Sequence, residues 1–146
     1  MEIPSSEAIN IVLDPRVSIE KQITLGNYKT THAEINSKNF SLTIPAGKRE
    51  VILYEPHGYV TTEQVANRIA TDGCKAATLD DALTIGVQYP ERQLKNPLVF
   101  FGTTWNVGGR SLIPILDHWD NDRVLEMDEL SNTPWSSDYR FVAVCK

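Results

Sequence analysis

Between positions 117 and 122 the chain reads Asp-His-Trp-Asp-Asn-Asp. Asp117, Asp120, Asn121 and Asp122 can each offer a side-chain oxygen, and calcium takes about six to eight such ligands. The same residue types also build plain turns, because their short polar side chains bond the nearby backbone. The plain turn is the simpler reading, so no metal is expected. His118 carries a nitrogen of the right basicity for proton transfer, but no nucleophile in a recognisable context accompanies it. Trp105, Trp119 and Trp135 all fall in the last third of the chain, each beside turn residues. A loop tryptophan can stack on a sugar ring, anchor a protein partner, or cover the end of a sheet. Asn106 and Arg110 flank a further turn and can add polar selectivity. The candidate ligand-binding surface is therefore Trp105, Asn106, Arg110, His118, Trp119, Asp120, Asn121, Asp122 and Trp135, with no catalytic residue and no cofactor.

Other chemistry is thin. Cys74 and Cys145 are too few for a zinc site, which usually needs four clustered ligands, and His32, His57 and His118 are scattered. The two cysteines read first as buried thiols in a reducing compartment. The alternative is one disulfide joining the helical segment to the last strand, and geometry decides between them. Gly102, Gly108 and Gly109 make no phosphate loop, since neither Lys-Ser/Thr nor a helix follows. Asn39-Phe40-Ser41 matches a glycosylation triplet, which has no meaning in a protein that is not exported.

The 146 residues carry a net charge of −5, with 41% hydrophobic and 23% charged residues. That composition fits one folded domain, 1–146, and argues against disorder. Negative charge without a basic stripe argues against nucleic acid. No apolar run reaches the roughly 20 residues of a membrane span. The N-terminus lacks the basic and apolar regions of a secretory signal. A cytoplasmic protein is the simplest expectation, and a virion component would look the same.

The elements that must position these residues centre on 59–90. Thr61 and Gln64 have the spacing of a capping box, Val60 and Val65 that of a hydrophobic staple, and Gly73 can end the helix. A second helix starts at Thr78 with Asp80 and Asp81 in its first turn, buries Leu79, Ala82, Leu83 and Val87, and stops at Pro90. The link 74–77 is short and extended. Strands are expected at 8–13, at Val17 to Leu25 with Lys21 as an exception, and along a polar edge from Tyr28 to Ile35. Phe40, Leu42 and Ile44 alternate with polar residues, and Val51 to Tyr54 is a short central run. Further strands are expected at 97–105 and 110–116, joined by the turn Asn106 to Gly109, and at Val124 to Met127. Pro114 places its strand at an edge or on a bulge. Phe141 to Cys145, apolar on both faces, reads as a central strand. Residues 1–46 form an N-terminal β segment ahead of the 47–146 core.

This order resembles the C-type-lectin-like fold. Val60 to Ile85 looks like that fold's helix, Ala-Thr link and second helix, with Ala76-Ala77-Thr78 and Asp80-Asp81 at the link. Phe100-Phe101-Gly102-Thr103 is similar to its apolar-apolar-Gly strand, and Tyr139 to Lys146 to its closing strand. Small bacterial proteins of unassigned function share this ending. The resemblance covers roughly the last 90 residues and speaks to fold before function. It implies an α+β class, with two short helices packed on a twisted, mainly antiparallel sheet. In secreted lectins of this class the last cysteine pairs with one inside the first helix, whereas Cys74 falls just past it. The second cysteine pair and the Glu/Gln-Pro-Asn/Asp tripeptide that holds calcium and sugar are absent. The expected function is a non-catalytic binding module for an unknown protein or small ligand. One alternative is an accessory part of a phage or mobile-element assembly, an oligomer formed through the N-terminal β segment. The other is an enzyme related to formylglycine-generating proteins, for which the cysteine spacing offers no site.

Overall fold

In the computed structural model, which describes residues 2–145, the last strand lies at the middle of the sheet. Lys146, expected to close that strand, lies outside the described residues. Phe141, Val142 and Ala143 have no solvent exposure, as a strand covered on both faces requires. In chain order the elements are β1 (Ser5–Leu13), α1 (Ile19–Gly26), β2 (Thr30–Thr31), β3 (Gly47–Tyr54), α2 (Thr62–Thr71), β4 (Cys74–Ala76) and α3 (Leu79–Gln88). A 3-10 turn (Arg92–Leu94) follows, then β5 (Leu98–Val99), β6 (Trp105–Val107), β7 (Arg110–Trp119), β8 (Asp122–Glu129) and β9 (Arg140–Cys145). The strands form one nine-stranded sheet, ordered β1-β3-β9-β5-β7-β8-β2, with β4 on β9 and β6 on β7. Among the described residues only the β5–β9 and β2–β8 pairings are parallel. The class is α+β, with three α-helices among the described residues. No helix among the described residues is long and apolar enough to cross a membrane.

Side-chain alternation gives the sheet two apolar faces. Leu112 and Leu116 of β7 face one cluster with Leu53, Val142 and the buried side of α3. Ile113 and Ile115 face the other, with Val65 and Ile69 of α2, Trp135 and Phe141. The two expected helices are therefore not side by side: α3, with α1, covers one face and α2 the other. Their termini follow the sequence. Gln64 N–H donates to Thr61 Oγ1 at 3.1 Å, and Thr61 N–H to Gln64 Oε1 at 2.8 Å. Gly73 has φ +77° just past α2. Asp81, fully buried, accepts the Thr78 N–H at 3.0 Å and faces Arg49 Nε at 3.1 Å. Val87 is only half-buried and not part of the core.

Several strand expectations give way. Val17 to Leu25 contains α1, not a strand. Ser18 caps it by accepting from Lys21 N–H, and Ile19, Gln22 and Gly26 turn inward at helical spacing. Lys21, the exception to alternation, marked the wrong period. Leu25 is left outside, 51% exposed. Of Tyr28 to Ile35 only Thr30–Thr31 pairs, at the sheet edge. Phe40, Leu42 and Ile44 form no strand but pack on the core from an irregular segment. Asp80 Oδ2 pins that segment, accepting Thr43 and Ile44 N–H at 2.9 and 3.0 Å.

The expected 97–105 strand is broken in two. After Val99 the chain leaves the sheet, and Gly102 N–H donates to Ala77 O at 2.8 Å. A Cβ at Gly102 would strike the Ala76 and Ala77 carbonyls. Pro114 sits in an interior strand, not an edge. Its carbonyl accepts Phe100 N–H at 3.1 Å, and proline has no N–H to return the bond. The gap between β5 and β6 falls at this point. Cys74 lies opposite Cys145 in the β4–β9 register, and the two are joined as a disulfide. Of the two readings left open, the disulfide holds and the free thiols do not: adjacent strands bring the cysteines within bonding reach.

Candidate functional site

The β7–β8 register decides which polar side chains meet. Asp128 lies opposite Ile113, Glu126 opposite Ile115, and Asp117 opposite Val124. Strand alternation puts Asp117, Glu126 and Asp128 on the face that carries Ile113 and Ile115. Three carboxylates are thus interleaved with branched apolar side chains. None of the three is ion-paired among the described residues. Burial, followed by the hydrogen bonding and charge of Asp117, pushes Glu126 up to about 7. Burial and then Asp117 also raise Asp128.

The segment 131–139 lies over this face, and Trp135 holds it in place. Its backbone exchanges hydrogen bonds with Val60 at 3.0 and 2.7 Å. Its Nε1–H donates to Thr62 Oγ1 at 2.9 Å. The indole packs edge-on with Tyr139 and Phe141, ring centres 4.9 and 5.8 Å away. Two open grooves result. One, of about 410 Å³, is lined by Tyr59, Asp128, Glu129, Trp135, Ser136 and Tyr139, among others. The second, of about 460 Å³, is lined by Lys95, Asn96, Pro97, Asp117, His118 and Asp138, and shares Ser136 and Tyr139 with the first. The Tyr139 hydroxyl is raised by burial first, then by the charges of Asp128, Asp117, Glu126 and Asp138. Four carboxyl groups therefore lie near the Tyr139 hydroxyl, where the grooves meet.

The nine expected residues do not form one surface. Arg110 begins β7 and Trp119 ends it, a separation of about 30 Å at the usual strand rise. Trp105 is half-buried against Phe40, ring centres 5.6 Å apart. Asn106 Oδ1 accepts from Ser111 Oγ within its own hairpin, and Arg110 pairs with Glu129 at 3.5 Å. At the other end, Asp120 and Asn121 are the two turn residues between β7 and β8, and Asp120 has φ 57°. Asp122 is exposed, and His118 Nδ1 lies 3.0 Å from the Asp120 carbonyl. No group of three His, Cys, Asp or Glu among the described residues is placed to hold a metal ion. Trp119 is 53% exposed and Trp135 8%, so the first is free to touch a partner and the second is core.

Only His118 and Trp135 of the nine line the grooves. Of the other lining residues, Tyr59, Asp128, Ser136, Asp138 and Tyr139 were not singled out, nor was Glu126 on the neighbouring strand face. A signal existed for two of them: Glu126 and Asp128 alternate with Leu125 and Met127, which marks the polar side of a strand. Nothing local shows that a loop then closes over that side. Comparison with protein-family models, curated proteins and solved structures finds no match.

Proposed function

We propose that this chain is a non-catalytic binding module of C-type-lectin-like kind, with its ligand surface in the two grooves that meet at Tyr139. The observation that carries this reading is the floor of that surface. Carboxylates without paired cations lie beside apolar and aromatic side chains in a concavity of the size that small ligands occupy. The element order supports the lectin-like part: strand β3, capped α2, the short β4 link, capped α3, the β7–β8 hairpin, the Trp135 loop and central β9. A disulfide from that link to the last strand is in keeping with it.

Assembly through the N-terminal strand is less favoured. The outer edge of β1 is covered over its C-terminal part: Gln88 exchanges two hydrogen bonds with the Val12 backbone, at 3.0 and 2.8 Å, and the Tyr89 hydroxyl donates to Asn10 O. An edge covered in this way resists strand addition. An enzyme of the formylglycine-generating kind gains no support, since the two cysteines are bonded to each other. The disulfide also favours an oxidising compartment over the cytoplasm.

The test is a screen of chemically diverse fragments followed by amide chemical shifts. Shifts from unrelated fragments should converge on 131–139, Asp117, His118 and Asp128. Convergence on another face, or scattered weak shifts, would remove the reading.

A further inference from the structure

The 410 Å³ groove differs from its neighbour in having aromatic walls. Tyr59, Trp135 and Tyr139 all line it. Tyr59 is 69% exposed, and nothing in the core requires a large aromatic there. Asp128 and Glu129 supply the charge at its edge, and Glu129 is the one already engaged, by Arg110. Asp128 stands without a cation among the described residues. Pro134 adds a further apolar contact to the lining.

We infer that this groove takes an alkylated ammonium cation, with Tyr59, Trp135 and Tyr139 as its walls and Asp128 as its counter-charge. The inference rests on the groove being the ligand surface and names the ligand's chemical class. Rings attract a cation through their negative faces, and a bulky, weakly hydrated ammonium loses less on leaving water than a compact ion. A bare metal ion is a poorer fit: it needs converging oxygens, whereas these carboxylates are interleaved with isoleucines along a strand. An ammonium carrying methyl groups matches both parts of the wall, apolar substituents against the rings and Pro134, charge against Asp128. The groove is open on one side, so the cation can belong to a free small molecule or to a modified lysine on a peptide.

The test uses the full chain and choline as probe, followed by the Trp135 indole N–H and the Ser136 and Tyr139 amides. Choline should shift all three and saturate. The neutral isostere 3,3-dimethyl-1-butanol should bind about tenfold more weakly, and Tyr59→Ala and Asp128→Asn should each weaken choline about threefold to tenfold. Both positions are solvent-exposed, so the variants should fold. A trimethyl-lysine peptide that binds more tightly than choline identifies the cation as peptide-borne; equal binding identifies a free ligand. Equal binding of the neutral isostere overturns the inference, as does tighter binding of arginine methyl ester than of choline. If choline leaves the three signals unmoved at about 100 mM while unrelated fragments still converge on 131–139, the ligand class falls and the binding surface stands. If the fragments converge elsewhere, both fall.

Discussion

Two tryptophans with similar sequence surroundings differ in what they contribute. Trp135 bridges Val60 and Thr62 to Tyr139 and Phe141, so Trp135→Ala should cost about 3–5 kcal/mol in urea unfolding. Trp119 ends its strand in solvent, and Trp119→Ala should change stability by no more than about 0.5 kcal/mol. Similar losses at both positions would contradict this assignment. Glu126 makes a prediction about pH. Its pKa of about 7 in the folded protein lies above the ordinary 4.5. Below 4.5 it is protonated whether folded or unfolded. Between 4.5 and 7 the folded protein holds the proton more tightly, so this contribution to stability is lost as pH rises through that window. Glu126→Gln stays neutral throughout. Its melting temperature should exceed that of wild type at about pH 8 and converge with it near pH 4.5. Parallel melting curves across that range would rule out the raised carboxyl.

At the scale of elements, α1 and α3 are tied to the hairpin by one half-buried cation. Arg123, at the start of β8, donates to the carbonyl of Gly26 in α1, to that of Gly86 in α3 and to Gln93 Oε1. Its guanidinium lies 4.7 Å from the centre of the Tyr28 ring. The phenol is wedged between Gly26 and Gly86, and a methyl at Gly86 would run into its hydroxyl. Gly86→Ala, normally favourable inside a helix, should instead destabilise by about 1–3 kcal/mol through overpacking. Shortening Tyr28 to leucine in the same chain should recover part of the loss, since the two sites share a contact. A stabilising Gly86→Ala would mean that Tyr28 lies elsewhere.

For the whole molecule, the Cys74–Cys145 bond closes a loop of sequence separation 71 across the sheet centre. In the chain-entropy account a loop of that length is worth up to about 4 kcal/mol. Reduction, or Cys145→Ser, should lower the urea midpoint accordingly; an unchanged midpoint would show that the thiols are not bonded in solution. The sequence by itself determined what short-range physics writes. The capping box at Thr61, the left-handed Gly73, the acidic first turn of α3 and the doubly apolar tail are each legible within a few residues. Val17 to Leu25 alternates like a strand only if Lys21 is set aside, and the helical period, which needs no exception, is the one the chain adopts. The tertiary structure alone decided which distant segments meet: Cys74 with Cys145, Tyr28 with Gly86, Trp135 with Thr62, and Asp117 with Glu126. Those pairings depend on strand register and on which face of the sheet each helix covers. A one-residue slip reverses every side chain on a strand, so the grooves at Tyr139 exist only once the whole sheet is set.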